Sequence, residues 1–315
     1  MLGLCCTSVA VFLAGCTTCV GGTEPPRKNT ARMSQRARGR LTQPATQTRE
    51  LTVDGQKRSY LVQTPKNYSA SKSYPLIVLL TAQGETPSRF SDREDVLGGA
   101  AKLGYLLAIP TAGPDGWSHG LCEPKAARSS AAQKPAAREA AAAGGNGSAM
   151  DVQVVDALLD ELGKQYRVKA TYLVGRGSGA LLAQRVASEK PEKAAALVAV
   201  SSPADCQLDG LPTPKGGVPA LIVDSAASPA VGASGPKGAA APATESNAAK
   251  FWTAADGCNT SRTAAKDVER TDYVCRGGER VTHIRIVGLG DVWPHKIGKE
   301  FSMRTLDGFF REVSR

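Results

Sequence analysis

The sequence predicts an α/β fold, a mostly parallel β-sheet covered by helices on both faces. Three observations predict it. Short apolar runs without polar alternation, Pro75–Leu80 foremost, have the pattern of strands buried on both sides. Helical stretches alternate with them, as in Asp151–Tyr166, where Val152, Val155, Leu158, Leu159 and Leu162 share one face. The segment Leu173-Val-Gly-Arg-Gly-Ser-Gly-Ala180 joins a strand to a helix through a glycine-rich turn.

The elements follow in order. Leu51–Val53 and Tyr60–Gln63 flank Asp54-Gly55, a turn dipeptide, and read as a hairpin. After the strand Pro75–Leu80 comes a helix over Ser91–Leu103, started by Ser91 and Asp92, and a strand over Tyr105–Ile109. The helix Asp151–Tyr166 leads to a strand at Thr171–Val174, a helix at Ser178–Glu189 and strands at Ala195–Val200 and Ala220–Val223. A helix over Asn247–Ala255, a strand over Val281–Val287 and a closing helix over Lys299–Val313 complete the pattern. Residues 123–149 and 225–249 are Ala, Gly, Pro and Ser with almost no large apolar side chain. Burial there cannot offset the entropy of ordering, so both read as flexible insertions.

The chain has 315 residues, 42% of them apolar, enough for a sizeable core. Its net charge of +10 is uneven: between Glu24 and Glu50 lie seven basic residues, Arg27 to Arg49. That stretch contains no aromatic residue, so it lacks the interleaving of a nucleic-acid binder. It reads as a solvated tether or membrane-surface segment, residues 16–49, and no nucleic-acid partner is expected. No apolar run reaches the roughly 18 residues of a membrane-spanning helix.

Residues 2–14 are uncharged and mostly apolar, a signal-peptide core in length. They end in Leu13-Ala14-Gly15-Cys16, which resembles the bacterial lipobox. The resemblance implies cleavage after residue 15, lipidation of Cys16 and a place in the bacterial cell envelope, lipid-anchored or secreted. The four Cys outside this region, Cys122, Cys206, Cys258 and Cys275, form an even set in an exported chain, with three possible pairings. None stands at Cys-x-x-Cys spacing and only three His exist, so a metal site is not expected.

The turn Gly175-Arg-Gly-Ser-Gly179 has the form of a nucleophile elbow. With Arg58-Ser-Tyr-Leu-Val, Trp117-Ser-His-Gly, Trp252-Thr-Ala-Ala-Asp-Gly-Cys258, Tyr273-Val-Cys275 and Gly288-Leu-Gly-Asp-Val-Trp-Pro294 in the same order, residues 50–315 resemble the secreted polyhydroxybutyrate depolymerase and feruloyl esterase-like hydrolases. The resemblance implies an α/β-hydrolase fold, no cofactor and a bridge between Cys258 and Cys275, which leaves Cys122 with Cys206. It also implies a Ser-Asp-His triad, and here all three positions differ. Gly177 stands for the nucleophile, Ser228 for the acid and Asp291 for the base, while Thr81-Ala82 replaces the His-Gly of the oxyanion hole.

Gly177 offers no nucleophile, and loss of such a Ser costs on the order of 10⁶ in turnover. The expectation is therefore a protein without hydrolytic activity that binds a polymer, glycan or protein in the inherited cleft. Two alternatives stand beside it: an active ester hydrolase using Ser178 with a relocated base, and a structural envelope lipoprotein. Of the candidate bases, His295 lies four residues after Asp291, His283 reads as a packed or surface strand residue, and the resemblance places His119 in a loop at the pocket rim. Asp205, Asp224 or Asp291 could supply a carboxylate.

Overall fold

Asp54 and Gly55 both take positive φ, 48° and 76°, as a two-residue primed hairpin turn requires. They join β1 (Thr46–Val53) and β2 (Gln56–Gln63) in antiparallel register. The computed structural model describes residues 45–122, 150–203, 206, 208–213, 217–225, 246–254, 258–265, 268–275, 277–286, 293 and 303–314. β1 begins five residues before the predicted Leu51 because Thr46 to Glu50 pair fully with β2. Residues 46–49, read as tether, therefore belong to the sheet.

β3 (Tyr74–Leu80) is followed by two helices where one was predicted: α1 (Pro87–Glu94) and α2 (Val96–Leu103). Asp95 between them is left-handed, with φ 46°. Ser91 starts no helix; it is buried inside α1 with its hydroxyl on the Pro87 carbonyl. The cap is Thr86, whose side chain accepts the Arg89 N–H ahead of Pro87. β4 (Leu106–Pro110), α3 (Met150–Gln165), β5 (Val168–Arg176), α4 (Ser178–Glu189), β6 (Ala196–Val200) and β7 (Ala220–Ser225) follow the predicted order. α5 (Asn247–Ala254) precedes β8 (Asn259–Ala265), β9 (Val268–Val274) and β10 (Arg280–Ile286), and α6 (Met303–Val313) closes the chain. Ser225 and residues 247–249, read as the edges of the second insertion, are thus in β7 and α5. β8 and β9 were not predicted as elements, since an antiparallel pair at a sheet margin needs no apolar run.

The ten strands form one sheet in the order β1-β2-β4-β3-β5-β6-β7-β10-β9-β8. From β4 to β10 neighbours are parallel, and both margins are antiparallel. One face packs on α3, α4 and α5 through Val155, Leu158, Leu181, Val186 and Trp252. The other packs on α1, α2 and α6 through Phe90, Val96, Leu306 and Phe310. Phe310 stacks on Tyr172 with ring centroids 3.9 Å apart, so truncation to Ala costs about 3–5 kcal/mol.

Both expected disulfides are present. Cys122–Cys206 ties the loop after β4 to the loop after β6, and Cys258–Cys275 ties the end of α5 to the end of β9.

Candidate functional site

The C-terminal ends of parallel strands are where open α/β sheets bind ligands, and here β5 turns into α4 at Gly177. Its backbone has φ 56° and ψ −125°, a conformation L side chains rarely hold. Gly177 donates its N–H to the Val200 carbonyl at 2.9 Å and accepts the Ala180 N–H at 3.0 Å. The flanking glycines are there for close packing. A Cβ at Gly175 would strike the Gly179 carbonyl, and one at Gly179 the Leu80 carbonyl. The strand-to-helix turn is thus as sharp as that of a nucleophile elbow, with a glycine at its tip.

Ser178, the alternative nucleophile, is the first residue of α4. Its Oγ accepts the backbone N–H of Gln83 at 3.0 Å. An oxyanion hole in such an elbow uses the N–H after the nucleophile and an N–H from the loop after β3. The Gln83 N–H lies in that loop, and Ser178 occupies it. The Ala82 N–H beside it points to Glu85 Oε2 at 3.4 Å.

Glu85 is the centre of a charged cluster that sequence reasoning missed. Its Oε2 accepts from Arg176 Nη1 at 2.9 Å, with both side chains about nine-tenths buried. Its Oε1 pairs with Nη2 of Arg93, whose Nε also meets Glu94 Oε1 at 2.5 Å. The Glu94 and Glu85 carboxylates, in that order of strength, raise the Arg93 pKa. The available signal was Arg176 itself, a charge inside a glycine turn that must end a buried strand and so needs a counter-ion. Its partner, 91 residues away, has no spacing rule to reveal it.

The loop after β4 packs against the loop after β3. Trp117 is buried and donates its ring N–H to the Thr81 carbonyl at 2.7 Å. His119 sits beside it. Its carbonyl accepts from Arg185 Nη1 at 2.7 Å, and its Nδ1 accepts the Leu121 N–H at 3.1 Å. Burial first, then the Arg185 charge, lowers its pKa, against a smaller upward pull from Asp151. Asp151 accepts the Ser118 N–H at 2.6 Å and faces Arg58 at 3.6 Å.

His283 and Asp224 meet, although no spacing in the sequence pairs them. Nε2 of His283 lies 3.0 Å from Asp224 Oδ2, and both side chains are buried. They belong to the adjacent strands β10 and β7. β10 is three strand positions from β5, about 14 Å at the usual spacing, so His283 is no base for Ser178. It is a packed strand residue, as read. Ser228, Asp291, His295, Asp205 and Cys16 lie outside the described residues. Trp293, two residues past Asp291, packs edge-on against Phe90 with centroids 5.3 Å apart.

The structural relatives are esterases. The chain is similar to an S-formylglutathione hydrolase from Agrobacterium tumefaciens, at 11% identity over 86% of this chain and 95% of that one, with a TM-score of 0.53. It is similar to an acetyl xylan esterase from Aspergillus awamori, at 11% identity over 84% and 98%, with a TM-score of 0.52. A cold-adapted esterase from an Arctic intertidal metagenomic library aligns at 12% identity over 86% and 94%, with a TM-score of 0.50. No protein-family model and no curated protein matches the sequence. At these identities the likeness is one of fold: the chain has the α/β-hydrolase fold.

Proposed function

We propose that this chain is an envelope-anchored protein of depolymerase or esterase ancestry that has exchanged hydrolysis for binding in the inherited cleft. One observation carries the reading. The turn keeps a positive φ at Gly177 while the loop N–H groups that would hold an oxyanion are engaged by Ser178 and Glu85. A hydrolase needs those donors preorganised and vacant for the developing charge.

The relocated-nucleophile alternative, with Ser178 attacking, finds little support. Ser178 Oγ is turned to Gln83, and neither His119 nor His283 hydrogen-bonds it among the described residues. Turnover of p-nitrophenyl butyrate by the full chain tests the reading, with Ser178→Ala as control. We expect both proteins at the buffer background; turnover that disappears in Ser178→Ala overturns it. Anchoring rests on the lipobox at Cys16. Cys16→Ser is expected to move the protein out of the membrane fraction, because a tether of basic residues alone binds lipid weakly.

A further inference from the structure

We propose that Cys122 and Cys206 are a thiol–disulfide exchange pair: Cys122 is the attacking thiolate, His119 donates a hydrogen bond to it, and Cys206 is the resolving thiol. The co-substrate is a low-molecular-weight disulfide. The inference is independent of the binding reading above.

The two bridges are alike in exposure and differ in what faces the outer sulfur. Each joins a half-buried Cys, Cys122 or Cys258, to a buried one, Cys206 or Cys275. Cys258 Sγ lies 3.4 Å from the Thr253 carbonyl oxygen, whose lone pairs oppose a thiolate. Cys122 Sγ lies 4.0 Å from His119 Nε2. Nδ1 of that ring accepts the Leu121 N–H at 3.1 Å, so the proton of the neutral imidazole sits on Nε2, facing the sulfur. The charged groups nearby are already matched: Arg185 pairs with Glu189 at 2.7 Å, and Asp151 faces Arg58 at 3.6 Å. Among the described residues, the imidazole N–H is what distinguishes the two outer sulfurs. A donor to the charged form favours the thiolate.

The loop stays seated when the bridge is open. Trp117 is held by the Thr81 carbonyl at 2.7 Å, the Ser118 N–H by Asp151 at 2.6 Å and the His119 carbonyl by Arg185 at 2.7 Å, so a free Cys122 remains beside His119. Its thiolate attacks one sulfur of the disulfide, forms a mixed disulfide and releases one thiolate, which takes up the proton that Cys122 lost. Cys206, giving its proton to solvent, then attacks Cys122 Sγ, closes the bridge and expels the second thiolate, which is protonated in turn. Two protein thiols are oxidised and one small disulfide is reduced to two thiols. The bridge so formed ties the loop after β4 to the loop after β6.

Oxidised glutathione is the probe. In the full chain, Cys206→Ser leaves Cys122 as a free thiol and Cys275→Ser leaves Cys258, and peptide mass mapping follows the glutathione adduct at each. At pH 7 the adduct at Cys122 is expected to form about threefold faster than at Cys258, the gain that a roughly tenfold more acidic thiol brings. The rate at Cys122 against pH is expected to have its midpoint below the ordinary thiol value of about 8.5. His119→Leu added to Cys206→Ser is expected to return the midpoint to that value, while His119→Gln, which keeps an N–H donor, retains part of the shift. If His119→Leu does not fold, the midpoints of Cys122 and Cys258 decide. A rate at Cys122 no higher than at Cys258, equal midpoints, or a Cys122 midpoint that His119→Leu leaves in place overturns the proposal.

Discussion

Gln83 donates its backbone N–H to Ser178 Oγ at 3.0 Å, joining the loop after β3 to the first residue of α4. The bond is exposed, so water can replace the hydroxyl when it is removed. Ser178→Ala is therefore expected to cost under about 1 kcal/mol in urea unfolding. A loss above roughly 3 kcal/mol would show that this hydroxyl holds the elbow together, which the surrounding bonds of Gly177 already do.

The three elbow glycines are not equivalent. At Gly177 an added Cβ would meet the Ala82 Cβ at 3.0 Å and sit at φ 56°. Gly177→Ala is expected to cost about 1–3 kcal/mol. At Gly179 the obstacle is the Leu80 carbonyl of β3, which cannot move without breaking the sheet. Gly179→Ala is expected to yield no cooperative thermal transition, while Gly177→Ala melts cooperatively at a lower temperature.

Much of this was legible beforehand, for physical reasons. α4 was read at Ser178–Glu189 and found there, because the glycine turn marks its start unambiguously. The parallel core strands were read from apolar runs that only double-sided burial demands. The break at Asp95 was not, since a left-handed Asp between two apolar stretches leaves helical periodicity nearly intact. The sharp glycine turn at Gly177 was legible in the sequence, and the charged groups around it were not. The Glu85–Arg176 pair and the Asp224–His283 pair join distant segments, and only the strand order brings them together.

The disulfides close loops of different length. Cys258 and Cys275 are 17 residues apart, and Cys122 and Cys206 are 84 apart. By loop-closure entropy the first contributes about 3 kcal/mol and the second about 4.5 kcal/mol. The double Ser variant of Cys122 and Cys206 is expected to unfold at lower urea than that of Cys258 and Cys275. Non-reducing peptide mapping is expected to find no peptide joining Cys122 to Cys258.

His119 makes stability depend on pH. Its folded pKa is lowered, so the unfolded chain takes up this proton at a higher pH than the folded one. Its contribution is complete above the ordinary value of about 6.5 and is lost as pH falls through the window below it. Protonation would also turn the acceptor facing the Leu121 N–H into a donor. Urea midpoints at about pH 7.5 and about pH 5.5 are expected to differ less in His119→Gln than in wild type. An equal difference in the two proteins would assign the pH dependence to other groups.

On the binding reading proposed above, the turn at Gly177 lacks a base and an acid as well as a nucleophile. Gly177→Ser puts a hydroxyl at the tip, yet by the resemblance to depolymerase-like hydrolases the base position falls on Asp291 and the acid position on Ser228. A carboxylate of ordinary pKa near 4 is too weak a base to draw a serine proton at neutral pH. The deciding measurement is p-nitrophenyl butyrate turnover by Gly177→Ser, beside the triple variant Gly177→Ser, Ser228→Asp, Asp291→His. The account predicts no turnover above wild type for the single change and measurable turnover for the triple one. Strong activity from Gly177→Ser alone would mean that a working base already faces the elbow, and would contradict it.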